Sequence, residues 1–160
     1  MKSCIIWSVF ALMIVFFTIS CSPKNCQIID QTIIDNVSAY ENAHEVIKNN
    51  ITTLSNFKGD NMIIIGKKEI TEMLSLNNRE EFKDLIELWN NRLLLDENSI
   101  QLNIKNESVV IFQVKRCKNY IHEIIYDPLH IYGIGIADDV IGIKEEWINK
   151  NWKYYIIRYY

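Results

Sequence analysis

Ser99-Ile100-Gln101-Leu102-Asn103-Ile104-Lys105 is where the chain changes rhythm. Ile100, Leu102 and Ile104 alternate with Gln101, Asn103 and Lys105, a period of two that puts the apolar side chains on one face of an extended strand. Strand-like segments continue to the end of the sequence. Asn106-Glu107 reads as a hairpin turn into Val109-Val110-Ile111-Phe112-Gln113-Val114, and Lys118-Asn119 as a second turn into Tyr120-Ile121-His122-Glu123-Ile124-Ile125-Tyr126. Asp127-Pro128 is turn chemistry. Further strands are expected over Ile131–Ile136, Val140–Trp147 and Trp152–Tyr160, separated by turns at Asp138-Asp139 and Asn149-Lys150-Asn151. Short, evenly spaced strands with no helical pattern between them imply an antiparallel meander, not βαβ units. The last strand is apolar on both faces, with Trp152, Tyr154 and Ile156 on one and Tyr155, Ile157 and Tyr159 on the other. It is therefore expected inside the sheet, or at an edge that a partner covers.

Upstream of Ser99 the period is near 3.6. Ile29, Ile33, Val37, Tyr40, His44, Ile47 and Ile51 step by fours and threes, which predicts a single amphipathic helix of about six turns with one buried stripe. Gly59-Asp60-Asn61 is a loop signal, and the apolar run Met62–Ile65 is too short to assign to either type. A second helix is expected over Lys67–Leu76, with Ile70, Met73 and Leu74 on one face. Asn77-Asn78 breaks it, and a third follows with Phe82, Leu85, Ile86, Trp89 and Leu93. Asn78 and Glu81 have capping-box spacing at its start. Helices first and strands afterwards give an α+β domain, its sheet curling around the long first helix. This element order resembles that of the cystatin-like and NTF2-like folds. The resemblance carries no motif, so it implies an architecture and no function.

The first residues set the address. Lys2 is followed by an uncharged run from Ile5 to Ile19, then Ser20-Cys21-Ser22-Pro23. The run is roughly fifteen residues, suited to a signal-peptide core and short of the roughly twenty of a spanning helix. Its end resembles the lipobox of bacterial lipoproteins, with the small Ser20 before Cys21 and Ile19 before that; Thr18 departs from the usual leucine. The resemblance implies a signal peptide over 1–20, a lipidated cysteine and short tether over 21–27, and one domain over 28–160. It places the protein in the cell envelope, held to the membrane by lipid on its periplasmic or surface face. Ordinary signal-peptide cleavage at nearly the same place and an uncleaved anchor remain as alternatives.

Composition narrows the partners. Loss of Lys2 makes the mature chain one charge more acidic than the formal −3 of the whole sequence. There is no basic stripe for nucleic acid and no polybasic membrane patch. In an oxidising compartment Cys26 and Cys117 are the pair available for a disulfide, with two unpaired thiols as the alternative.

Patterns of known chemistry are sparse. Gly133 and Gly135 lack the third glycine and the helix of a dinucleotide loop. His122-Glu123 opens like a zinc-protease motif, but Tyr126 stands where the second histidine is required. His122, Asp127 and His130 would need one sharp turn to meet at a metal. Asp127, Asp138 and Asp139 have no calcium-loop spacing. No catalytic residue, metal or cofactor is assigned. Two sets of candidates remain. Trp147, Trp152, Tyr155 and Tyr159 form an aromatic-rich end from which a binding surface could be built, and His44 and His122 could share a pocket as acid or base. The leading expectation is a non-catalytic binding or accessory module that engages another envelope protein or a small ligand. An enzyme using a pocket between helix and sheet, and a structural or protective lipoprotein of inhibitor or immunity type, are the alternatives.

Overall fold

The computed structural model describes residues 26–54, 62–77, 80–95, 99–103, 109–132 and 139–160. The signal segment, the Asn78 cap, the Asn106-Glu107 turn and the Gly133/Gly135 stretch lie outside them. The fold is α+β: a helical layer packed on a six-stranded antiparallel sheet that does not close.

The stripe from Ile29 to Ile51 faces the core, as its spacing requires, with Ile33, Tyr40, His44 and Ile47 buried. The helix is not continuous, however. It runs as α1 (Gln31–Asp35), α2 (Val37–Asn49) and α3 (Ile51–Leu54). Asn36 and Asn50 make the two breaks, and each side-chain amide donates back to the carbonyl four residues earlier, Thr32 and Val46. Asparagine competes for backbone partners in this way, and that local bond interrupts the ladder without rotating the stripe off the core. Among the described residues, two further helices, α4 (Lys67–Asn77) and α5 (Lys83–Asn90), belong to the layer. A short 3₁₀ turn, Glu80–Phe82, leads into α5, and Phe82, Leu85, Leu88 and Trp89 are buried.

The strands are β1 (Met62–Ile65), β2 (Ile100–Asn103), β3 (Val110–Cys117), β4 (Tyr120–Tyr126), β5 (Val140–Trp147) and β6 (Trp152–Tyr159), in the order β1-β2-β3-β4-β6-β5. The undecided run at Met62 is thus an edge strand. Neighbours follow the chain as far as β4, and then the last two strands exchange places. Burial explains the exchange. Trp152 to Ile157 are all buried, so β6 needs a neighbour on each side and cover on each face. β5 carries Lys144, Glu145 and Glu146 in its second half and takes the edge, where charge is tolerated. Since β4 and β5 are each antiparallel to β6, they run parallel to one another on its two sides, and their connection, described over 127–132 and at 139, is a crossover. Of the strand expected from Ile131, the described part, Ile131-Tyr132, belongs to this crossover and not to the sheet.

Two cores result. The main one lies between helices and sheet, where Tyr40, Phe112, Trp152, Tyr154 and Ile156 meet. The second is small and lies on the opposite face. There Ile111, Ile125, Tyr155 and Ile157 pack with Tyr132 of the crossover and Tyr159.

Candidate functional site

The two histidines have separate surroundings. On β4, alternation sends Tyr120, His122, Ile124 and Tyr126 toward the helices. His122 is fully buried; its Nε2 lies 3.0 Å from the Cys26 carbonyl and its Nδ1 2.8 Å from the Tyr154 hydroxyl. A carbonyl only accepts, so Nε2–H donates to it and Nδ1 accepts from Tyr154, the neutral tautomer. Burial, with help from Lys115, holds its pKa below 6.5 and maintains that state. His44 lies four residues further along β4, stacked on Tyr126 at 3.9 Å and edge-on to Trp152 at 6.3 Å. Burial lowers its pKa as well. A cavity of about 270 Å³ opens beside Tyr120, and neither histidine lines it.

His122 serves the start of the domain. Cys26 is joined to Cys117 by a disulfide with a Cα separation of 5.6 Å, and its carbonyl receives His122. Gln27 donates to the Tyr120 hydroxyl at 2.7 Å, and Lys115 reaches Asp30 at 2.9 Å. The Lys115 hydrogen bond outweighs burial and lowers the Asp30 pKa. A covalent bond and three polar contacts therefore pin residues 26–30 to the β3–β4 hairpin.

The opposite end of the sheet is built around Asp127 and Lys153. Asp127 is fully buried and accepts from Lys153 Nζ at 3.0 Å, from Ile131 N at 3.0 Å and from Tyr132 N at 3.0 Å. Burial opposes its charge, but these donors prevail and its pKa is lowered. The Lys153 ammonium also lies 3.8 Å from Glu145 and 4.3 Å above the Trp147 ring. Glu145 in turn accepts from the Tyr155 hydroxyl at 2.9 Å. The backbone of residues 127–132 is thereby fixed, with His130 in the left-handed region at φ 55°. Besides His130, the side chains that this fixed turn exposes are apolar. Leu129 is 63% exposed, Ile131 50% and Trp147 42%, and the His130 ring stacks on Trp147 at 4.6 Å.

This corrects the expected aromatic surface. Of its four residues only Trp147 is exposed. Trp152 is buried against the helices and Tyr155 in the second core, because β6 is interior, while Tyr159 is half-buried at the edge of that core. Leu129 and Ile131, which the sequence reading did not single out, take their place. Their one sequence signal was a pair of aliphatics directly after a proline turn.

Glu123 was also overlooked. It is 4% exposed beside the second core; Oε1 accepts from Gln113 at 3.0 Å and Oε2 has no partner among the described residues. Burial raises its pKa to about 7. The imagined His122/Asp127/His130 set does not converge: His122 faces the helices, Asp127 holds Lys153, and His130 covers Trp147. Among the described residues no group of three or more His, Cys, Asp or Glu could hold a metal, and no helix is long and apolar enough to cross a membrane. No protein-family model, curated protein or solved structure matches the chain.

Proposed function

We propose that this chain is a membrane-tethered, non-catalytic binding module that offers Leu129, Ile131 and Trp147 to a protein partner. One observation carries the reading: the buried Asp127, paired with Lys153, locks the backbone of a surface turn that exposes Leu129 and Ile131. Burying that pair costs several kcal/mol of desolvation, which its attraction and hydrogen bonds must offset. Fixing the turn in advance lowers the ordering cost of association, and a rigid cluster of aliphatics around a tryptophan suits the centre of a protein interface.

The tether reading rests on the Cys21 lipobox resemblance, and the pinned residues 26–30 are consistent with it. Cys26 lies beside the Tyr120 end of β4, whereas Asp127 follows its other end. From Arg158 to Trp152 along β6 is about 20 Å at strand rise. A chain anchored at Cys21 would hold the apolar turn on the side away from the membrane.

The test is a photoreactive phenylalanine analogue at Trp147 in the full chain, in native membranes, compared with the same residue at the exposed Lys68. A discrete adduct from 147 alone, abolished by Leu129→Ser with Ile131→Ser, is expected. Indistinguishable products from both positions would contradict the proposal.

A further inference from the structure

The cavity beside the tether root has a different chemistry from the apolar turn. We infer that it is an anion site for a phosphate group, taken from an anionic lipid headgroup or from free phosphate. Its existence follows from one residue. β5 carries a bulge between Val140 and Gly142, and Gly142 is paired with Arg158 where any other residue would place a side chain. A Cβ there would meet only Arg158 Cβ, at 4.0 Å. Among the described residues, the lining takes Gln27, which precedes α1, and no residue of α1–α5, so about 270 Å³ stays open among Gln27, Tyr120, Gly142, Lys144, Ile156 and Arg158. Bulges of this kind commonly sit beside functional sites, where they redirect side chains.

The lining sets several donors on a largely apolar wall. Tyr120 accepts from Gln27, which leaves its own O–H to donate. The second amide hydrogen of Gln27 is also available. The Arg158 guanidinium lies 5.8 Å from the centre of the Tyr120 ring, so its face is engaged while its N–H edge remains to bind. Lys144 is paired with Ile156 across the same face. Among the described residues no carboxylate lies within 4 Å of either cation, although those of Asp30, Asp127, Glu45, Glu72, Glu80 and Glu145 are engaged by other basic groups. Two cations, a phenol and an amide around one opening match the several acceptor oxygens of a phosphate and oppose a cationic ligand. Ile156 and the exposed Ile143 supply an apolar border.

The headgroup source rests on the lipoprotein reading; the anion site does not. If Cys21 is anchored, the five residues to Cys26 reach at most about 18 Å, which would keep this opening close to the lipid headgroups.

The experiment uses the ¹⁵N-labelled full chain in neutral maltoside micelles. It is titrated with inorganic phosphate and, separately, with micelles containing phosphatidylglycerol, against chloride at matched ionic strength. Saturable shifts at the Gly142, Lys144 and Arg158 amides are expected, with Lys144→Gln and Arg158→Gln each weakening binding roughly tenfold or more. Both side chains are exposed, so neither change threatens the fold. Gly142→Ala, which has room and no unfavourable φ, should weaken binding with both charges in place. Saturation by phosphatidylglycerol micelles alone, or at much lower phosphate content than in the inorganic arm, assigns the site to a headgroup. Saturation by inorganic phosphate alone assigns it to a soluble source. No saturable shift in either arm, equal shifts with chloride, or shifts indifferent to both glutamine variants would overturn it. The mass of the mature N-terminus reports separately on the lipoprotein reading: an unacylated Cys21 would remove the anchored headgroup while leaving the phosphate arm intact.

Discussion

Replacing Glu123 by glutamine tests the second core directly. The Glu123 carboxyl is 4% exposed, and one of its oxygens is unpartnered among the described residues, so burial raises its pKa from 4.5 to about 7. Below pH 4.5 the carboxyl is neutral in both folded and unfolded chains, and its contribution to stability is complete. Between 4.5 and about 7 the unfolded chain releases the proton while the folded chain keeps it, so stability falls as pH rises. Above that window the loss is constant, at roughly 3 kcal/mol from 1.36 kcal/mol per pH unit. Urea titrations of wild type and Glu123→Gln at pH 5, 6, 7 and 8 measure it. The wild type should lose about 2–3 kcal/mol across that range relative to the variant. His44 and His122, whose lowered pKa values make stability rise toward pH 6.5, contribute equally to both proteins and cancel in the difference. A difference that stays constant with pH would refute the assignment, whatever the absolute stabilities.

Three further outcomes are expected. Cys26→Ser with Cys117→Ser should cost about 4–5 kcal/mol, since the bridge closes a loop of 91 residues in sequence separation; oxidised and reduced chains with equal urea midpoints would contradict this. Asp127→Asn should destabilise by roughly 3–5 kcal/mol, because it leaves the buried Lys153 without its closest carboxylate. In wild type the Asp127 contribution is present above pH 3.8 and is lost as pH falls through its lower folded value, which an acid titration of the two proteins would resolve. Mass spectrometry of the chain isolated from its own membranes should find Cys21 as an acylated N-terminus, and an unmodified Cys21 or Ser22 terminus would exclude it.

What could be read in the sequence was what periodicity encodes. The change of period at Ser99 separates the helices from every strand except β1, whose run at Met62 was too short to assign, and the apolar character of both faces of the last strand implied an interior strand or an edge that a partner covers. Side-chain competition for the backbone is not a periodic signal, so the breaks at Asn36 and Asn50 were hidden beneath an unbroken apolar stripe. Strand order is likewise not periodic. The exchange of β5 and β6 depends on comparing which of two strands has more to bury, and it moved Trp152 and Tyr155 from a supposed surface into two cores. The apolar turn was illegible for a related reason. Ile131 reads as the start of a strand and Leu129 as a residue beside a proline turn until Asp127, itself placed by β4, meets Lys153 from a strand that comes later in the chain.

Amide hydrogen exchange at Ile131 and Tyr132 tests the central claim, that the exposed apolar turn is held ready in the free protein. Both N–H groups donate to the buried Asp127 carboxylate, so in wild type they should exchange as slowly as amides of the neighbouring strands. In Asp127→Asn they should become fast while the Ile124 amide in β4 stays slow. If Ile131 and Tyr132 already exchange at the rate of an open loop in wild type, the turn is not preformed and the binding-module account loses its physical basis.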